Sequence, residues 1–130
     1  MDTLNRMGGA EIIQMINQGS ITAEAVMEDC LRQVDVREKT LKAWAYLDED
    51  LALENARTID IKKKFGRLSG LSVGVKDVID TFDMPTQMGS SIYKGWRPAT
   101  DAACVSILRN AGAVIMGKTA TCEFAGSFPS

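Results

Sequence analysis

The sequence predicts an α/β fold, and three observations carry that prediction. Apolar residues recur at helical spacing through most of the first half and again after residue 100. Two runs, Leu71–Ile79 and Ala113–Met116, are instead short, continuous and strand-like. Helix and strand then alternate along the chain, the pattern of α/β folds.

Taken in order, Ala10 to Asn17 places Ile12, Ile13 and Ile16 at helical spacing before Gly19-Ser20 breaks the pattern. Thr22 is suited to cap a second helix, with Glu24 in its first turn. Ala23, Val26, Met27, Cys30, Leu31 and Val34 mark one face of it. Leu41 to Leu47, containing Trp44 and Tyr46, is aromatic and predicted extended. Asp48 is expected to cap a third helix running towards Lys64, with Leu51, Ala52, Ala56 and Ile59 inward. Gly66 to Gly70 is a break before the Leu71–Ile79 strand. Asp80 to Ala99 holds Pro85 and Pro98, shows no period, and reads as a long irregular segment, which in a compact domain is often functional. Asp101 is expected to cap a fourth helix with Ala102, Val105, Leu108 and Ala111 on one face, and Gly112 stands where a C′ glycine belongs. The Ala113–Met116 strand follows, and Gly126 to Ser130 reads as an unfinished loop. No repeat or low-complexity segment interrupts the 130 residues.

With 45% apolar and 25% charged residues, the chain should bury a core rather than stay disordered. Fifteen basic residues against 17 acidic ones give a formal net charge of -2, with no basic stripe. Neither nucleic acid nor an anionic membrane is therefore an expected partner. The N-terminus lacks an apolar signal region, and no apolar run approaches the about 18 residues of a membrane span. Three cysteines, Cys30, Cys104 and Cys122, fit reduced thiols and a cytoplasmic location better than a disulfide framework. The chain contains no histidine. A Ser-His-Asp triad, a Cys-His pair or a His-ligated metal cannot be completed within it, and any proton transfer must use lysine, a carboxylate, tyrosine or cysteine. No metal-ligand spacing is present, and neither a metal nor a cofactor is expected.

Four motifs carry candidate chemistry. Lys76 lies between valines in Leu71-Ser72-Val73-Gly74-Val75-Lys76-Asp77-Val78-Ile79. Burial there would disfavour the ammonium form and yield a neutral amine competent as a general base. Equally, a strand-end lysine can snorkel to water and pair with Asp77. Local sequence leaves both open. Gly112 to Thr119 satisfies the P-loop expression G-x-x-x-x-G-K-T to the letter. A P-loop, however, runs strand, loop, helix, whereas here a helix precedes Gly112 and the intervening Ala-Val-Ile-Met is itself strand-like. Nucleotide binding is not expected, and Lys118→Ala should then leave the fold intact. Gly89-Ser90-Ser91 offers hydroxyls for a site but consists of ordinary turn residues. Cys122 has no histidine to activate it and reads as structural or incidental.

Several of these pieces together resemble the amidase-signature family. Gly70-Leu71-Ser72-Val73-Gly74-Val75-Lys76-Asp77-Val78-Ile79-Asp80-Thr81 is similar to that family's lysine strand. Met84-Pro85-Thr86, Gly89-Ser90, Asp101-Ala102, Leu108 to Thr119 and Glu123-Phe124-Ala125 follow in the expected order. The resemblance implies an α/β fold that is the N-terminal portion of the amidase-signature fold, with helices packed on part of a mixed β-sheet. It implies one incomplete domain over 1–130, with 1–66 a helical N-terminal region and 67–130 the start of the α/β core. It also implies hydrolysis of carboxamides to an acid and ammonia or an amine by a Ser–cis-Ser–Lys triad without metal. Lys76 is the carried-over lysine, with its amine turned inward.

The family's two serines lie in a Gly-Ser-rich loop after the Glu-Phe-Ala element, and this sequence stops at Ser130 before such a loop. Ser90 and Ser91 come too early to replace it. The segment is therefore expected to be inactive alone and prone to self-association. By analogy Phe124, Ala125 and Gly126 line the substrate channel. The expected partner is a small-molecule amide, and a homo-oligomer is compatible with the complete protein. The alternatives are nucleotide binding through Gly112–Thr119, which a strand there would exclude, and a non-catalytic interaction module, which an exposed Lys76 would favour.

Overall fold

The computed structural model describes residues 4–63 and 66–126. Three helices fill most of the first half: α1 (Gly9–Asn17), α2 (Ala23–Leu41) and, after a short strand, α3 (Glu49–Lys62). Both expected caps are present. Thr22 Oγ1 accepts from the Ala25 amide at 3.1 Å and Asp48 Oδ1 from the Leu51 amide at 3.0 Å, each satisfying an amide that the first helical turn leaves unpaired. The Asp60 carboxylate accepts from the Ala23 and Glu24 amides, so the last turn of α3 also caps the start of α2. The helix α3 ends at Lys62, ahead of the expected Lys64, because Lys63 turns left-handed at φ 45°; Lys64 and residues 127–130 of the expected terminal loop lie outside the described residues.

The apolar stripes meet as their spacing predicts. Ile12 and Ile16, then Ala23, Val26, Met27 and Leu31, then Ala52 and Ala56 are buried together with Val114 and Met116. Burying each large aliphatic chain contributes about 1.5–3 kcal/mol, which outweighs the weak intrinsic preference of these short helices.

The strands are β1 (Trp44–Leu47), β2 (Ser72–Lys76) and β3 (Val114–Thr119), in the order β1-β3-β2. The first is antiparallel to β3 and the second parallel to it, which makes the sheet mixed. The central strand is sandwiched: Val114 and Met116 face the three helices, while Ile115 joins Val75, Met84 and Val105 in a second cluster. That second cluster includes α4 (Ala103–Asn110), which carries the chain from β2 back to β3. Gly112 makes the turn into β3 at φ +95°, where a Cβ would stand 3.1 Å from the Ser69 backbone.

Two expectations are corrected. Asp101 does not cap α4; the N-cap is Ala102, without a side-chain bond. The Asp101 carboxylate is drawn away, accepting from the Phe82 amide at 2.9 Å and pairing with Arg109 at 3.0 Å. The strand expected over Ala113–Met116 runs on through Gly117, Lys118 and Thr119. The G-K-T triplet is thus inside a β-strand with no helix opening after it, which removes the phosphate-wrapping geometry of a P-loop. Among the described residues, no helix is long and apolar enough to cross a membrane.

Candidate functional site

The site is built where β2 and β3 end side by side. Lys76 sits on a strand, as expected, but β2 ends at it and not at Ile79, and its side chain is exposed rather than turned inward. Strand alternation explains this. Val75 and Asp77 take the buried face, so Gly74 and Lys76 take the other. On that other face the Ser72 hydroxyl donates to Met27 Sδ of α2 at 3.9 Å. Among the described residues Lys76 makes no ion pair. The Asp77 partner that sequence offered it is on the opposite side.

Asp77 is engaged by a different lysine. Lys118 has no exposed surface, and its Nζ donates to Thr86 Oγ1 at 2.7 Å and to the Pro85 carbonyl at 3.1 Å, and lies 3.3 Å from Asp77 Oδ1. All three ammonium protons therefore have acceptors, as a buried cation requires. Burial pushes the Lys118 amine below its ordinary range, and the adjacent Asp77 carboxylate opposes that shift. Asp77 is itself fixed at every polar group but one. Its amide donates to the Thr119 carbonyl, its carbonyl accepts from Met88, and Oδ1 accepts from the Gln87 amide at 3.2 Å. Only Oδ2 is without a partner. The expectation that Lys118 is dispensable to the fold is thereby withdrawn: removing it would leave a buried carboxylate unpaired.

The irregular segment closes over this pair. Gly89 adopts φ +64° and passes so close to residues 121–122 that a Cβ would lie 2.6 Å from the Thr121 carbonyl. Next to it, Ser90 Oγ donates to Glu123 Oε1 at 2.7 Å. The Gly-Ser element therefore fastens the segment rather than presenting a free nucleophile. Phe124, Ala125 and Gly126 are surface residues in and just after the short 3-10 turn Glu123–Ala125, held by a 2.7 Å bond from the Phe124 amide to the Met88 carbonyl. The Phe124 ring meets Tyr93 edge-on at 6.0 Å. Cys122 donates from Sγ to the Gly126 carbonyl at 2.9 Å, a local structural contact. A shallow depression of about 250 Å³ lies beside these elements, with Asp77, Gln87, Ser90 and Lys94 in its walls. Among the described residues no three metal-ligating side chains gather.

The structure thus brings together Asp77, Lys118 and Thr86, a grouping that the sequence reading did not anticipate, and leaves Lys76 on the far face of the same strand end. The available signal was Lys118 itself: a lysine following a run of apolar strand residues needs a buried acid, and Asp77 was the acid in the other apolar run.

The amidase family profile matches residues 25–128. The chain is 36% identical over 120 residues to a glutamyl-tRNA(Gln) amidotransferase subunit of Rhodopirellula baltica, covering 89% of this chain and 24% of that protein. It is 38% identical over 129 residues to the protein of the same name from Acidothermus cellulolyticus, covering 96% of this chain and 26% of that one. The peptide amidase of Stenotrophomonas maltophilia superposes on it with a TM-score of 0.85 at 30% identity, over 92% of this chain and 26% of the enzyme. The chain therefore spans about a quarter of the length of these relatives. Over that quarter the lysine strand, the irregular segment and the returning β3 fall in one matched stretch, and the chain belongs to the amidase family.

Proposed function

We propose that this chain is the segment of a carboxamide-cleaving enzyme that supplies its general base, Lys76. The contrast between two neighbouring lysines carries the reading. Lys118 spends its three protons on fixed acceptors and is sealed from solvent. Lys76, one strand away, stands on an accessible face, and its sequence neighbour Asp77 is held on the other side by Lys118. Access leaves Lys76 free to meet a bridging serine, and the burial that favours a neutral amine is to come from the rest of the enzyme.

In the Ser–cis-Ser–Lys scheme that family membership recommends, neutral Lys76 accepts a proton from a bridging serine. That serine deprotonates the nucleophilic serine, which attacks the amide carbon. The amine leaves, and water releases the acid from the acyl-enzyme. Both serines and the oxyanion donors are supplied from outside this sequence. The expected outcome for these 130 residues by themselves, which hold the base candidate and not the family's serine loop, is no amide hydrolysis above background. Phe124, Ala125 and Gly126 border the path of a small-molecule amide.

The test uses a complete amidase carrying this segment. Lys76→Ala is expected to lower kcat by ~10²–10⁴-fold, the usual loss on removing a general base. Lys76→Arg should be nearly as poor, because a guanidinium keeps its proton at working pH. Retention of more than about a tenth of kcat by Lys76→Ala sinks the role. The exposed Lys76 also suits a non-catalytic interaction module, and that reading gains if both variants turn over amide normally.

A further inference from the structure

The G-K-T triplet, once removed from nucleotide chemistry, still needs a purpose, because a fully buried lysine is costly to keep. Its position supplies one. Lys118 is the register partner of Val75, the residue before Lys76, on the strand parallel to β2. Its ammonium group reaches along the buried face to Asp77, the residue after Lys76. Lys76 is thus bracketed by two residues that the β3 strand holds.

Asp77 is also where β2 stops and the irregular segment begins. Its amide is tied to Thr119 and its carbonyl to Met88. Lys118 adds Pro85 and Thr86 to the same knot, and Thr86 Oγ1 donates to the Ile79 carbonyl at 3.4 Å. While Asp77 is locked facing inward, the two-residue period of the strand obliges Lys76 to face outward.

We infer that Lys118, acting through Asp77, Pro85 and Thr86, is a positioning residue that aims Lys76 at the reacting centre. The inference rests on the reading of Lys76 as the base. It differs from a purely structural role in its consequence: a loosened knot leaves a folded enzyme whose base is misplaced, and a displacement of about 1 Å can cost ~10²-fold in rate.

The experiment compares Lys118→Met, Thr86→Val and Lys76→Ala in the complete amidase, assayed well below the melting midpoint of each variant. Lys118→Met keeps the volume of the stem and removes the ammonium. It is expected to lower kcat by about 10–100-fold while KM stays within about threefold, since the base is displaced and the substrate pocket is not. Thr86→Val keeps its shape and removes one acceptor, so a drop of about 3–10-fold in kcat with unchanged KM is expected. If Lys118→Met does not fold, Thr86→Val carries the test. A folded Lys118→Met enzyme with wild-type kcat, or a loss that appears equally in KM, overturns the inference, as does a Thr86→Val enzyme with wild-type kcat. An active Lys76→Ala enzyme would instead sink the underlying assignment of the base.

Discussion

The two sides of this sheet are held by different forces. On one side, α1, α2 and α3 meet β3 through aliphatic side chains, and the polar contacts, the helix caps and Asp29 with Asn5 and Arg32, lie around that apolar cluster. On the other, the irregular segment after β2 is held by a small apolar cluster and by a polar knot around Lys118 and Asp77. Apolar packing is non-directional and tolerates adjustment, whereas a buried ion pair works only with every partner in place. A site that needs one amine aimed in one direction gains more from the second kind of fastening.

Substitutions can break this contrast. The largest effect is expected from Lys118→Ala, which strands the Asp77 carboxylate in the interior and should cost roughly 3–5 kcal/mol of stability in denaturant unfolding. Met27→Ala on the helical side should cost about 3 kcal/mol, set by cavity size. The two differ in rescue: a second change, Asp77→Asn, should recover part of the Lys118→Ala loss and none of the Met27→Ala loss. Equal recovery in both would show that the knot is not an electrostatic unit.

The helical side was legible in the sequence because its information is local. Ile12, Ile16, Val26, Met27 and Ala52 repeat at the helical period, and Thr22 and Asp48 sit directly before the turns they cap. The other side was legible only as irregular. Asp101 has every property of a cap, yet Arg109 and the Phe82 amide claim its carboxylate. The valine neighbours of Lys76 left burial and exposure both open, because which face of a strand is covered is set by elements distant in the chain. The Lys118 partners lie more than thirty residues back in the chain, and no spacing rule announces them.

Smaller effects sharpen the same contrast. Asp48→Ala should cost about 1 kcal/mol, the usual value of an N-cap, and should leave the Lys118 knot untouched. Asp29 gives a pH signature confined to the helical side. The hydrogen bond from the Asn5 amide, aided by Arg32, holds its carboxyl below 3.8, against the opposing effect of burial. A depressed carboxyl stabilises the fold above its unfolded value and loses that contribution as pH falls through the folded value, so the step lies below about pH 3.8. Acid titration of stability should show this step in the parent chain and not in Asp29→Asn.

The smallest expected effect on stability belongs to Lys76→Ala, because the side chain is exposed and unpaired among the described residues. That makes it the most direct test of the division between the two lysines. Melting midpoint is measured on this chain, and kcat on a complete amidase carrying it, for Lys76→Ala and Lys118→Ala. The predicted result is an unchanged midpoint with kcat lost for Lys76→Ala, and a clearly lowered midpoint for Lys118→Ala. A Lys76→Ala enzyme that turns over amide at the wild-type rate, or a Lys118→Ala chain that melts like wild type, would contradict the account.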